Sequence, residues 1–168
     1  MRRAACLALL ALTLADWTLA QAPAEVTLKV VKYADLGDII RSHKGKVVVV
    51  DFWADFCIPC KREMPHLVEL HQKYAGDGLV AITVATDDPR NEKVKASLLK
   101  FLTAQKATMT NLIIEEPLEE WAQKVGLAKV PCVFVFNRAG KFRRFDAERI
   151  EEGYGNIALQ VAEFLKEK

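Results

Sequence analysis

Two cysteines three residues apart, Cys57 and Cys60, flank Ile58-Pro59 and follow the run Val47-Val48-Val49-Val50-Asp51-Phe52-Trp53. A step of three puts both sulfurs on one face of a helical turn, where they can close as a disulfide or stay open as a dithiol. A thiol at a helix N-terminus meets unpaired amides and the positive end of the helix dipole, and both favour the thiolate. A free cysteine, with a pKa of ~8.5, then falls toward neutrality. Such a thiolate attacks a disulfide and forms a mixed disulfide; Cys60, one turn on and shielded, attacks Cys57 and releases the product. A static disulfide and half of a zinc site are the alternatives. Zinc wants two more ligands at usable spacing, and His43, His66 and His71 make no recognisable pair. The redox reading is preferred, and no metal or cofactor is expected.

Asp51 is an acid inside an apolar strand, six residues before Cys57. Burial disfavours its charge, so it is expected to hold a proton near neutral pH. Its plainer reading is a strand-end carboxylate that caps a turn.

The elements around these residues follow from periodicity and turn signals. The valine run reads as a buried strand over Val47–Trp53. A helix follows to about Tyr74, with Met64, Leu67, Val68, His71 and Tyr74 on one face and Pro65 inside it. Leu79–Ala85 is a second buried strand. A weakly alternating edge strand is expected over Val26–Val31, and a short helix over Tyr33–His43. Further on come a helix from Pro89 to about Lys106, a strand at Asn111–Ile114 and a short helix Leu118–Val125 closed by Gly126. A strand over Val130–Phe136, a turn at Asn137–Gly140, a returning strand Lys141–Phe145 and a terminal helix complete the chain. Alternating βα units predict an α/β fold, with a central mixed β-sheet flanked by helices on both faces. The chain of 168 residues suffices for one domain with a core.

The formal net charge is +2. Without residues 1–22 it becomes 22 − 21 = +1, which gives no support for nucleic-acid binding. Those residues read as a secretory signal: Arg2 and Arg3, an apolar run from Cys6 to Ala15, and an Ala20-Gln21-Ala22 cleavage site. The expected division is 1–22 signal peptide and 23–168 folded domain, in the periplasm or another extracytoplasmic space; an uncleaved N-terminal anchor is the alternative. Cleavage leaves Cys57, Cys60 and Cys132. One pair plus one leftover is a working pair rather than a disulfide framework.

Taken together, the chain resembles the thioredoxin superfamily, and within it the exported thiol-disulfide oxidoreductases of the TlpA/ResA type. The resemblance rests on Val50 to Lys61, on Glu63 and Pro65, and on Val125-Gly126-Leu127-Ala128-Lys129-Val130-Pro131. The helix and strand between Pro89 and Ile114 resemble the insertion of that subgroup. The resemblance implies a thioredoxin-like fold with a C-terminal β-hairpin plus helix. It implies that Asp51 is the buried acid that helps deprotonate Cys60. It implies that Pro131 is a cis-proline facing the cysteine loop and, with Val130, Trp53, Ile58 and Pro59, serves substrate binding. An acidic residue near the thiols is known in some of these relatives, and Asp87, Asp88 and Glu92 form an acidic patch in that region; the plain reading of the patch is a solvated helix start. Two departures stand out. Phe56 occupies the usual tryptophan position, keeping an apolar wall but losing the indole donor. Cys132 follows Pro131 directly, where it is either a packing residue, the preferred reading, or a third redox thiol.

The function implied is a monomeric enzyme that reduces protein disulfides. Apocytochrome c is a candidate substrate and a membrane thiol-disulfide transporter the electron donor. The alternatives are a disulfide-donating oxidase or isomerase, since the direction of flow depends on potentials, and a non-catalytic metal-binding or chaperone-like module.

Overall fold

The computed structural model describes residues 25–151 and 153–167; the expected signal over residues 1–22 lies outside them. Six strands form one sheet: β1 (Lys29–Val31), β2 (Val47–Trp53), β3 (Leu79–Ala85), β4 (Thr110–Ile114), β5 (Cys132–Phe136) and β6 (Phe142–Phe145). Their order is β1-β4-β3-β2-β5-β6. The pairs β1–β4, β4–β3 and β3–β2 are parallel, whereas β2–β5 and β5–β6 are antiparallel. The helices are α1 (Tyr33–Ser42), α2 (Ile58–Tyr74), α3 (Glu92–Ala104), α4 (Leu118–Trp121), α5 (Ala147–Glu151) and α6 (Gly155–Lys166).

The middle strand, β2, explains the architecture. All seven of its residues are buried, and it is paired along both edges. A strand covered on both faces reads as a continuous apolar run, which is what four successive valines supply. Successive side chains point to opposite faces, so β2 feeds two cores. Val47, Val49 and Trp53 pack with Met64 and Leu67 of α2, Leu98 and Leu102 of α3, and Ile157 and Val161 of α6. Val48, Val50 and Phe52 pack on the other face with Leu36 of α1 and Trp121 of α4. Asp51 belongs by alternation to the first face, the one that carries α2.

The expected elements are present with altered ends. β1 is limited to Lys29–Val31, the residues that find partners on β4. β5 begins at Cys132 rather than Val130, since Pro131 has no amide to give a ladder; the Val130–Pro131 bond is cis. The segment expected as a helix over 118–125 is one α-turn followed by a 3-10 turn at Ala122–Val125. It stops at Gly126, whose φ of 66° suits glycine, and a Cβ there would lie 2.9 Å from Arg144. The helix α5 has no counterpart among the expected elements. α2 runs through Pro65 as one helix.

One buried polar cluster joins the inserted strand β4 to its surroundings. Asn111 is almost wholly buried; its amide donates to the carbonyls of Thr27, Ala107 and Met109, and its oxygen accepts from the fully buried Thr83 hydroxyl at 2.9 Å. Removing the amide leaves the Thr83 hydroxyl and the Ala107 and Met109 carbonyls, all of buried residues, without this partner. Asn111→Ala is therefore expected to lower stability by about 3 kcal/mol, read as a fall in urea midpoint without a change in the denaturant slope.

Candidate active site

The turn that leaves β2 is held from several sides. Cys57 N–H donates to the Ala54 carbonyl at 3.1 Å, and Thr86 N–H to the Trp53 carbonyl at 2.9 Å. The Asp55 amide donates to Asp87 Oδ2 at 3.0 Å. The Asp55 carboxylate accepts from Lys61 Nζ at 2.7 Å and from Ser97 Oγ at 2.9 Å. Burial pushes the Asp55 carboxyl up, but those two hydrogen bonds and the Lys61 charge outweigh it and hold the group below its usual range. Asp87 goes the other way, raised by burial and by the neighbouring Asp55 charge against the Asp55 amide. The acidic patch thus divides. Asp87 braces the cysteine loop, Asp88 pairs with Arg90, and Asn91 rather than Glu92 caps α3. Sequence spacing gave no hint of the Asp55–Asp87 contact, since its partners are 32 residues apart.

At the end of this turn Cys57 is the N-cap of α2, and its sulfur accepts from the Cys60 amide at 3.3 Å. Cys57 and Cys60 form a disulfide with Cα atoms 5.3 Å apart. Both are buried, with 5% and 3% exposure, so the S–S bond presents little more than an edge to a partner. Around it, Phe56 and Ile58 are 78% and 79% exposed. The apolar wall expected of Phe56 stands free at the surface beside the disulfide.

Asp51 lies in the core that also holds Cys57 and Cys60, and is 4% exposed. Its Oδ2 accepts from the Tyr154 hydroxyl at 3.4 Å, while Oδ1 is buried with no hydrogen-bond partner. Burial raises its pKa from 3.8 to about 7, against the Tyr154 hydrogen bond, which lowers it. It does not cap a turn. Tyr154 is the residue that sequence reasoning missed: it comes 103 positions later, just before α6, and no local pattern connects it to β2.

Trp53, expected on the substrate side, is a correction. It is fully buried, packed against Phe101 at 5.4 Å between ring centroids. Both faces of β2 are covered, and Trp53 lies on the face that packs with α2 and α3, where it supports the loop from beneath instead of meeting a substrate. Ile58 and Pro59 open α2 on its outer side, Pro59 within the first turn, where amides lack partners in any case. Pro131 is buried and Val130 partly exposed. Because Cys132 pairs with Phe52, Pro131 lies at the end of β2 from which the cysteine loop departs.

Cys132 is on the other face of the sheet. It packs with Phe52 and Phe134, while the disulfide belongs to the opposite core. Burial pushes its thiol up to about 12, helped by the Asp146 and Asp51 charges and opposed by Arg144. This is a packing environment.

A sheet of this order, with a disulfide opening the helix after its middle strand, is the thioredoxin-like arrangement. The chain belongs to the AhpC/TSA family, whose sequence profile matches residues 20–145. It is similar to the thiol-disulfide oxidoreductase ResA of Geobacillus thermodenitrificans, with 28% identity over 105 residues, 62% of this chain and 56% of ResA. It is also similar to the DipZ protein of Mycobacterium bovis, with 44% identity over 61 residues, 36% of this chain and 9% of DipZ. The chain therefore spans about half of one of these curated relatives and a small part of the other. Among solved structures, the thioredoxin domain of a thiol-disulfide oxidoreductase from Bacteroides vulgatus superposes with a TM-score of 0.56 at 22% identity, over 73% of this chain and 84% of that one. At that identity the likeness is one of fold.

Two outcomes follow from the buried groups. Between pH 3.8 and about 7 the unfolded chain has lost the Asp51 proton while the folded chain keeps it. Stability must then fall as pH rises through that window, and the full cost, of order 4 kcal/mol, is present above pH 7. Asp51→Asn is expected to be the more stable protein at pH 8 by about that amount and nearly equal to the parent below pH 4, in urea unfolding at a series of pH values. For Cys132, a brief pulse of iodoacetamide on the reduced, folded protein at pH 8 should label Cys57 and leave Cys132 unmodified until the chain is unfolded; peptide mapping reads the sites.

Proposed function

We propose that the protein is an exported thiol-disulfide oxidoreductase that reduces protein disulfides through the Cys57–Cys60 couple. The observation that carries this is the disulfide at the N-terminus of α2 with a buried, protonatable carboxyl behind it. In the reduced enzyme the Cys57 thiolate attacks one sulfur of a substrate disulfide. A Cys57–substrate bond forms, and the substrate's other sulfur leaves as a thiolate. Asp51 takes the proton of Cys60, whose sulfur then attacks Cys57 and expels the substrate's second thiolate. Two electrons pass from the enzyme dithiol to the substrate, and the enzyme ends as the Cys57–Cys60 disulfide. Two protons complete the substrate thiols.

Substrate approaches as an extended segment across Val130 and Pro131, with Ile58 and Pro59 on the opposite side and exposed Phe56 beside them. Residues 1–22 act as the export signal, with retention as a membrane anchor if it stays uncleaved, and residues 23–168 work as a monomeric domain outside the cytoplasm. Among the described residues no helix is long and apolar enough to cross a membrane. The likeness to the thiol-disulfide oxidoreductase ResA supports thiol-disulfide exchange with protein substrates; within that chemistry we read reduction as the direction, with apocytochrome c cysteines as a candidate substrate and a membrane thiol-disulfide transporter as the electron source.

Single-cysteine variants and a redox titration test this. Cys60→Ser should accumulate a mixed disulfide with a disulfide peptide, and Cys57→Ser should not. The mature protein should show a reversible two-electron couple with a potential well below that of the glutathione pool. A high potential makes it an oxidase; no couple at all removes the enzyme reading.

A further inference from the structure

A carboxyl that must collect a proton inside a core needs one oxygen fixed and the other free. Asp51 is built this way. Among the described residues, the Tyr154 hydroxyl is the hydrogen-bond donor on its Oδ2, and Oδ1 is buried and unpartnered. Asp51 sits between Val49 and Trp53 on the face of β2 that packs with Cys57, Cys60 and Tyr154. We propose that Tyr154 is the positioning residue for proton transfer at this site: its hydroxyl fixes the rotation of the Asp51 carboxyl, so that Oδ1 is the atom that receives the proton of Cys60.

Several features of Tyr154 fit that task and no simpler one. A buried tyrosine can pack as well without its hydroxyl, yet this one is spent on a carboxyl of a strand 103 residues earlier. Its backbone position, the N-cap of α6, brings the side chain in from the terminal helix, so the last element of the fold reaches the strand that precedes the cysteines. Its ring stacks on His66 of α2 at 6.2 Å between centroids. It also lines an open pocket of about 320 Å³ with His66, Glu69 and Lys73. One buried side chain thus touches the acid and also lines this pocket.

The charges around the acid set the sign of the effect. From α2 come Glu63, nearly buried and paired with Arg62 at 2.9 Å, and the two active-site sulfurs. From β5 comes Cys132, which feels the Asp51 charge and is itself faced by Arg144 and Asp146. The Tyr154 hydroxyl is held neutral, its pKa driven up by burial and by the Asp51 charge. It therefore donates at every working pH and favours the ionised carboxylate, the form that accepts a proton. Without it, burial acts unopposed.

The proposal rests on Asp51 serving as the base in the resolving step, and the test separates the two. Tyr154→Phe keeps the ring and removes the donor. In the oxidised full-length protein, the Asp51 carboxyl titration, followed by carbon NMR of labelled aspartate, should move upward by about one pH unit. In stopped-flow resolution of a Cys57 mixed disulfide, the pH profile should move alkaline by the same amount. The rate should drop about five-fold at pH 7 and recover near pH 9. A structural role alone slows the step at all pH values and leaves the profile in place, and that result overturns the proposal. So does an Asp51 titration that Tyr154→Phe does not move. Asp51→Asn supplies the control. If it abolishes the profile while Tyr154→Phe leaves it unmoved, the Tyr154 assignment alone fails. If Asp51→Asn keeps the parent profile, the base assignment has failed first and takes the Tyr154 role with it.

Discussion

A carboxyl group in a place that water cannot reach is the constraint on which the rest of the structure turns. Asp51 occupies the middle of the middle strand, nearly sealed from solvent in a mostly apolar core, with the Tyr154 hydroxyl at one of its oxygens and none at the other. A charge there costs far more than an exposed one, because nothing nearby replaces its hydration. The fold meets that cost in part by leaving the group neutral below about pH 7 and in part by one hydrogen bond. An apolar residue at this position would give a firmer core. The strand keeps an acid one helical entry away from two sulfurs, and the stability surrendered is localised at the point where proton movement is useful.

The surroundings of the disulfide are arranged on the same economy. The sulfurs are almost sealed, yet the flanking Phe56 and Ile58 stand in solvent. Beneath them the loop is stiff. Asp55 is tied to Lys61, Ser97 and Asp87, and Trp53 fills the space under it against Phe101. A rigid turn with apolar side chains on its rim presents a fixed reacting edge, and partner recognition needs little reorganisation of the protein. The contacts that stiffen the turn come from α2, from the loop after β3 and from α3, all of which follow it in sequence.

Much of this could be read in the chain, and the exceptions have physical reasons. β2 and β3 are evident because two-sided burial demands unbroken apolar runs, and Val47–Trp53 and Leu79–Ala85 are such runs. The cysteine helix is evident because a proline in the first turn and an apolar stripe mark it. β1 is shorter than its weak alternation suggests, since an edge strand extends as far as its one neighbour does. α5 escaped because five residues rich in charge show too little of a helical period. Trp53 shares the face of β2 that carries the two cysteines, but it lies beneath the loop, covered by Phe101 of α3, a contact between distant segments. Tyr154, Asp87 and Ser97 were beyond reach for one shared reason: their contacts join distant segments, and a single sequence carries no trace of which side chains meet across such a gap.

The placement of Cys132 has a consequence for how the chain acquires its bond. The three cysteines among the described residues allow three pairings, and a chain exposed to oxidant before it folds can close any of them. Once β5 has docked on β2, the whole thickness of the sheet separates Cys132 from the other two. Two of the three pairings are then geometrically closed. The sheet works as an insulator between thiols, and scrambling is confined to the time before that strand is in place.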